Sequence, residues 1–190
     1  MKANNPKSVS RSVKWAAALS AIAISLIAWT ASAKDNVPYR ATSSAYTISS
    51  ILHTNGSQDI ILGEVGVSTM SGRYTGLQQI HAEPGQYDPG THTFQTHFTV
   101  TGTFTEANGD SWDFTSEGVV IVPLDAVGAP LPPPYAVHST WEDVGGTGRF
   151  AGMTGHGTGE GLLYGDGTSS RIDSGIVSTV GSNRRPSAEL

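Results

Sequence analysis

The stretch from residue 91 to 105 alternates apolar and polar side chains. Phe94, Phe98, Val100 and Phe104 lie at even positions, whereas threonine, glutamine and histidine occupy the odd positions. A period of two is typical of a β-strand with one buried face and one solvated face. The alternation recurs between turn residues, and no window keeps the 3.6-residue apolar period of an amphipathic helix. The sequence therefore predicts an all-β fold.

About eight segments share this pattern, and Asn108-Gly109 is the clearest hairpin signal between two of them. Consecutive antiparallel strands with one apolar face form either a closed barrel or a two-sheet sandwich. The strands are long, and closure hides the edges that a small secreted chain would otherwise expose. We therefore predict a single antiparallel β-barrel of about eight strands, with a β-sandwich as the alternative. The predicted strands are residues 45–53, 59–70, 73–83, 91–105, 111–122, 134–143, 148–164 and 171–180.

The N-terminal residues have the layout of a secretory signal peptide. Four basic residues come first, an uncharged apolar run extends from Trp15 to Trp29, and Ala31-Ser32-Ala33 supplies small residues for cleavage. The predicted organisation is a signal peptide over 1–33, an antiparallel β-barrel domain over 34–180 and a flexible C-terminal tail over 181–190. This predicts a protein that is secreted or periplasmic, with no membrane association after cleavage.

Charge and composition exclude several classes of partner. Without residues 1–33 the chain has seven basic and sixteen acidic residues, a net charge of −9. Nucleic acids and anionic lipids require clustered lysine and arginine, so we predict no nucleic-acid partner. The chain has no cysteine, and its six histidines form neither H-x-H nor H-E-x-x-H. We predict that it uses no metal and no cofactor.

Every second residue from Gly155 to Gly161 is glycine. The glycines that precede this run do not fit G-x-G-x-x-G, no G-K-[ST] follows, and no helix is predicted next to it, which argues against a phosphate loop. Alternate residues of a strand share a face, so the run predicts a glycine-rich strand with one bare face. Aromatic side chains of neighbouring strands can fill that bare stripe, or the stripe can widen a cavity.

The segment from Val144 to Phe150, with Gly152 and Gly155, resembles the G-G-T-G-x-F…G signature of the allene oxide cyclase and dirigent β-barrel superfamily. The resemblance is specific over residues 145–155 and architectural elsewhere, and similar motifs occur in exported bacterial proteins. It implies a small eight-stranded barrel with an apolar lumen, often in a homotrimer. It also implies that an apolar small molecule is bound, and cyclised or coupled, without a cofactor.

Two residues are candidates for acid–base chemistry. Glu64 is in phase with Ile60 and Leu62, and an apolar pocket raises the pKa of a carboxyl toward neutrality, which suits a general acid or base. Alternatively, Glu64 lies at a solvated strand end or pairs with an arginine such as Arg73. His92 is the second candidate, with a rim position expected because it follows a Gly-Thr turn.

Inward-facing positions of the predicted strands define the candidate ligand site. His156 and Glu160 lie on the face opposite the glycines, where a solvated surface pair is expected. Phe94, Phe114 and Asp143 are also predicted to face the lumen. The predicted ligand-binding residues are Tyr74, Gln78, Phe98, Trp112, Tyr135 and Trp141.

Three functions fit a barrel of this kind. The first is a cofactor-independent cyclase, isomerase or lyase acting on an apolar small molecule in the lumen. The second is a non-catalytic carrier of such a molecule, and the third is a structural or interaction protein with a filled barrel. A cavity separates the first two from the third, and the polar groups that converge in that cavity separate catalysis from carriage.

Overall fold

A computed structural model describes residues 36–178, so the predicted signal peptide over 1–33 and the tail over 181–190 lie outside the described residues. A single 3₁₀ turn, Gly148–Phe150, separates β7 from β8. Within residues 36–178 no helix is long and apolar enough to span a bilayer. The strands are β1 Asn36–Leu52, β2 Gln58–Ser68, β3 Gly72–Ala82, β4 Gln86–Asp88, β5 Thr93–Glu106, β6 Ser111–Pro123, β7 Tyr135–Gly146, β8 Gly155–Leu163 and β9 Thr168–Ser178.

The strands form one closed antiparallel barrel. Their order is β3-β2-β1-β9-β8-β7-β6-β5, and pairing of β3 with β5 closes the ring. Strand β4 is additional, because Gln86–Asp88 pairs with the first residues of β5 beyond the part that contacts β3. The predicted barrel of eight strands is confirmed, and the sandwich alternative is wrong.

Two predicted strand boundaries are wrong, and β4 was not predicted. Strand β1 begins at Asn36 rather than residue 45, and β8 begins at Gly155 rather than residue 148. Residues 147–154 form a turn because Gly148 and Gly152 adopt positive φ, which interrupts an extended strand. The segment that forms β4 has only three residues, too few for an alternating pattern to be visible.

Aromatic side chains fill one half of the lumen, which we call the aromatic half. Trp112 is 1% exposed and its ring centroid lies 5.5 Å from that of Tyr74 and 4.9 Å from that of Phe150. Phe104 stacks on Phe114 at 4.5 Å between centroids. The cluster consists of Tyr39, Ala41, Tyr74, Val100, Phe104, Trp112, Phe114, Trp141, Phe150, Met153 and Val177.

The G-G-T-G-R-F segment forms a plug at the end of the aromatic half. Phe150 and Met153 are buried there beneath the turn that leads into β8. The Arg149 guanidinium forms an ion pair with Glu106 and donates a hydrogen bond of 3.3 Å to the carbonyl oxygen of Met70. Thr147 fixes the start of the turn, because its Oγ1 accepts a hydrogen bond of 3.1 Å from the Ser111 N–H. The segment therefore closes one end of the barrel.

The glycine stripe of β8 faces the lumen, as predicted. A Cβ at Gly157 would overlap the carbonyl oxygen of Ser174 and lie 2.5 Å from Cζ2 of Trp141. Trp141 thus fills the stripe in the aromatic half. Gly161, near the other end of β8, lines a cavity. Each of the two explanations for the stripe therefore applies at one end of the same strand.

Candidate functional site

The half of the lumen opposite the plug contains a cavity of about 160 Å³ that is partly open to solvent; we call this region the cavity half. All eight strands of the closed barrel, β1–β3 and β5–β9, contribute to its walls, which carry aliphatic side chains in place of tryptophan. The apolar lining residues are Ala45, Ile60, Leu62, Ile80, Ala82, Phe98, Val100, Val120, Val137 and Leu163.

Glu64 forms the floor of this cavity, at the boundary with the aromatic half. The residue is 4% exposed. Its Oε1 accepts a hydrogen bond of 3.1 Å from the Tyr74 hydroxyl, and its Oε2 accepts one from the Gln78 amide. Burial raises the pKa of Glu64, and the nearby positive charge of Arg171 opposes that rise without cancelling it. Glu64 therefore lies in an apolar pocket, the first of the environments considered for it, and not at a solvated strand end.

The arginine close to Glu64 is Arg171 on β9, not Arg73, which is exposed at the start of β3. Arg171 also lines the cavity, but its Nε donates a hydrogen bond of 2.6 Å to Oδ1 of Asp173. Asp173 is buried, and its carboxylate forms an ion pair with the Arg171 guanidinium. The alternative of an arginine near Glu64 therefore applies to Arg171, and Arg73, the example given, is wrong.

Asp143 adds a third buried carboxyl beside Asp173. Burial, reinforced by the negative charge of Asp173, raises the pKa of Asp143 to about 7. Burial likewise raises the pKa of Asp173, against the influence of Arg171. The pKa values of the Tyr39 and Tyr74 hydroxyls also rise, mainly through burial, so both phenols stay neutral. The centre of the lumen thus holds more carboxyl groups than cations.

The six predicted ligand-binding residues divide between the two halves. Gln78 and Phe98 line the cavity, and Tyr74 holds Glu64 from the aromatic side. Trp112 and Trp141 are packed in the aromatic half and do not line the cavity, because their own rings fill that space. Other predicted lumen residues also fall outside the cavity lining: Tyr135, half-buried at the start of β7; Phe94, 39% exposed beside β4; and Phe114, in the aromatic cluster.

The structure does not bring His92 and Glu64 together. His92 adopts a φ of 54° in the turn before β5 and is exposed. Its Nδ1 lies 2.9 Å from the Tyr87 hydroxyl, and its Nε2 donates a hydrogen bond of 2.7 Å to the Asp125 carbonyl oxygen. Both ring nitrogens therefore hold surface loops, and His92 is not among the residues that line the cavity.

Sequence reasoning missed Arg171 and Asp173 because β9 has both of its isoleucines, Ile172 and Ile176, on the outside of the barrel. Ile172 is 64% exposed, and Asp173 next to it is buried. An alternating pattern shows that the two faces of a strand differ, but not which face is buried. On β9 the face with both isoleucines is the solvated one. The available signal was the stripe on β8, since Gly159 leaves room for both side chains: a Cβ there would lie 2.5 Å from Asp173 Oδ1 and 2.6 Å from Arg171 Nε.

Outside the lumen the titratable side chains form solvated contacts. His156 and Glu160 are exposed on the outer face of β8, as expected. Asp59 lies 2.8 Å from His53 Nε2 and 2.7 Å from His81 Nδ1, all on the surface. Across residues 36–178 no group of three or more histidine and carboxylate side chains has the arrangement of a metal site.

Comparison with protein-family models, curated proteins and solved structures found no match to this chain.

Proposed function

We propose that the barrel binds a small apolar molecule in the cavity half of its lumen. The observation that carries this proposal is the cavity of about 160 Å³, walled by aliphatic side chains and floored by Glu64 and Gln78. Apolar walls with a few convergent polar groups are the usual composition of a small-molecule site. A filled structural barrel would have no such space.

The cavity volume limits the size of the molecule. An engineered apolar cavity of about 150 Å³ accommodates benzene, whereas pockets for drug-sized ligands begin near 300 Å³. The proposed ligand is therefore a single ring or a short branched chain, with any larger part projecting through the open side. Its polar end would face Glu64 and Gln78, because those groups form the floor.

Calorimetric titration with benzyl alcohol tests the proposal. The wild-type barrel should bind it, and Val137→Phe should abolish binding because Val137 lines the cavity and the larger ring would occupy it. Ile172→Thr is the matched control, since Ile172 lies on the outer surface. Absence of binding to the wild type, or equal binding to Val137→Phe, would overturn the proposal.

Proton transfer is a second candidate function, and the position of Glu64 favours it. A buried carboxyl with a raised pKa at the floor of an apolar cavity is placed to exchange a proton with a bound molecule. Such an enzyme would be a cofactor-independent isomerase, cyclase or lyase. Deuterium incorporation into cyclohexanone in heavy water measures this ability. We expect Glu64→Gln to reduce any acceleration by about 10²- to 10⁴-fold, and an unchanged rate would remove Glu64 from the chemistry.

The proposed setting of this function is an exported protein of the allene oxide cyclase and dirigent type. The plug formed by the G-G-T-G-R-F segment supports the relationship, since it turns the chain into a late barrel strand. The signal-peptide layout of residues 1–33 predicts export and therefore a function outside the cytoplasm, and a homotrimer would follow from the relationship. N-terminal sequencing of exported protein should give Lys34 as the first residue; an intact Met1 would contradict this.

A further inference from the structure

We propose that the molecule bound in the cavity is a cation, an apolar amine whose ammonium group pairs with the Glu64 carboxylate. This inference rests on the proposed function, because it names the chemical class of the ligand for the same cavity. Support for an amine comes from the set of charged side chains that line the lumen and from the way in which they are already paired.

The lumen of the described barrel holds an excess of acidic groups. Glu64, Asp143 and Asp173 are all buried, and Arg171 is the one basic residue beside them within residues 36–178. The ion pair between Arg171 and Asp173 leaves Glu64 and Asp143 without a positively charged partner in direct contact. A buried carboxylate is stable only when it is paired or protonated.

Only one of these two carboxyls is open to a ligand. Asp143 lies in the aromatic half, beside Tyr39, Trp112 and Trp141, where the remaining space is about 20 Å³. Glu64 lines the cavity of about 160 Å³. A cationic head group that entered the cavity would therefore meet Glu64 first.

The hydrogen bonds of Glu64 prepare it for this role. The Tyr74 hydroxyl and the Gln78 amide both donate to the carboxylate oxygens, which fixes the orientation of the group but adds no positive charge. An ammonium would supply both the missing charge and further donors. Aliphatic walls, such as Leu62 and Val137, would contact the apolar part of the amine.

Ligands whose polar group is a carboxylate or a neutral alcohol fit the cavity less well than an amine. A carboxylate ligand would lie close to Glu64 and Asp173, and the one available cation, Arg171, is already bound to Asp173. A neutral alcohol could donate to Glu64 or accept from Gln78 but would bring no positive charge to the carboxylate. The expected order of affinity is amine, then alcohol, then carboxylate.

Binding of the amine should be coupled to the ionisation of Glu64. The groups that face this carboxyl are Tyr74 and Gln78 from β3, Ser43 and Tyr39 from β1, and Arg171 and Asp173 from β9. Burial raises the pKa of Glu64, and wherever this carboxyl is protonated the amine must displace that proton. Affinity for the amine should therefore rise with pH as Glu64 loses its proton, until the amine itself loses its charge. Binding to the protonated form should release a proton.

The test is calorimetry with benzylamine, benzyl alcohol and benzoate, three probes of similar size. For the wild type near pH 8 we expect benzylamine to bind about 10- to 100-fold more tightly than benzyl alcohol, and benzoate to bind most weakly. Titrations in buffers of different ionisation enthalpy should show proton release with benzylamine alone. Glu64→Gln should bring benzylamine to the affinity of benzyl alcohol, whereas Glu160→Gln, on the outer surface, should leave the preference unchanged.

The outcomes distinguish failure of the amine preference from failure of ligand binding itself. If benzyl alcohol or benzoate binds as tightly as benzylamine, the cavity binds small molecules but the preference for amines is wrong. If no probe binds, both proposals fail. The wild-type comparison decides the question even if Glu64→Gln does not fold.

Discussion

The two halves of the lumen are built from the same eight strands but are filled differently. In the aromatic half, large rings such as Trp112 and Trp141 leave a residual space of about 20 Å³. In the cavity half, the same strands present valine, leucine and isoleucine, and a space of about 160 Å³ remains. The size of the inward side chain therefore sets the free volume. One half maintains the barrel, and the other has room for a guest.

The glycines of β8 show the same division. Gly157 allows Trp141 to approach the backbone, so the missing side chain is replaced by a ring from β7. Gly161 has no such ring above it and lines the cavity. The same residue type thus tightens packing at one end of the strand and leaves space at the other.

The largest expected effect comes from truncating the aromatic half. Trp112→Ala should lower the free energy of unfolding by about 3–5 kcal/mol, because it removes a fully buried ring and leaves a void among its neighbours. Leu163→Ala is the matched variant in the cavity half and should cost less than about 2 kcal/mol, since Leu163 already borders empty space. Urea denaturation measures both. Equal losses would show that the two halves contribute alike.

The second effect is a dependence of stability on pH from Asp143. Its folded pKa, about 7, lies above the ordinary value of 3.8, so between these values the native state binds more protons than the unfolded chain. Stability should fall as pH rises from about 4 to about 7, by at most about 1.4 kcal/mol per pH unit from this group. Asp143→Asn should flatten the curve when unfolding is followed across that range. A curve of unchanged slope would mean that Asp143 does not hold its proton.

A larger side chain on the glycine stripe should lower the free energy of unfolding by less than the truncation of Trp112 does. Gly157→Val should destabilise the protein by about 1–3 kcal/mol, because the new Cβ overlaps the Ser174 carbonyl oxygen and presses on Trp141. Thr158→Val on the same strand, where the side chain is exposed, should change stability by less than about 0.5 kcal/mol. Similar thermal midpoints for the two variants would contradict the inward orientation of Gly157.

The smallest effect on stability should come from filling the cavity. Val137→Phe adds volume where space exists, so the free energy of unfolding should change by less than about 1.5 kcal/mol in either direction. The equivalent enlargement in the aromatic half, Val177→Phe, should cost more, since Val177 is fully buried among rings. Denaturation midpoints of the two variants compare the halves directly, and equal costs would show that both are packed alike.

The sequence predicted the barrel because period-two alternation is local and strong in strands such as β5 and β6. It predicted Glu64 and Gln78 because the apolar residues that share their face also point inward. It did not predict Arg171 and Asp173, since Ile172 and Ile176 make the outer face of β9 the more apolar one. Which of two faces points inward depends on closure of the barrel and on neighbours distant in the chain, and alternation along one strand carries neither.

The sequence also could not show which of the aromatic candidate residues border the cavity. Trp112, Trp141 and Phe98 all lie on inward faces, but their height along the barrel axis decides whether they border the cavity. Height follows from the register between strands, for example Trp141 opposite Gly157 and Val137 opposite Gly161. Register in turn depends on turns and bulges, such as the shift between Asp113 and Phe114, that single residues do not reveal.

The plug, with Phe150 and Met153 buried beneath its turn, closes one end of the lumen, so the proposed ligand would enter and leave at the end that contains the cavity. Such a ligand would not pass through from end to end, so a bound molecule would have to leave before the next one entered. In the proposed orientation the ligand would enter with its polar group first, and its apolar end would remain toward the solvent. A molecule tethered to a bead by its tail could therefore still reach the bottom, whereas one tethered by its polar head could not.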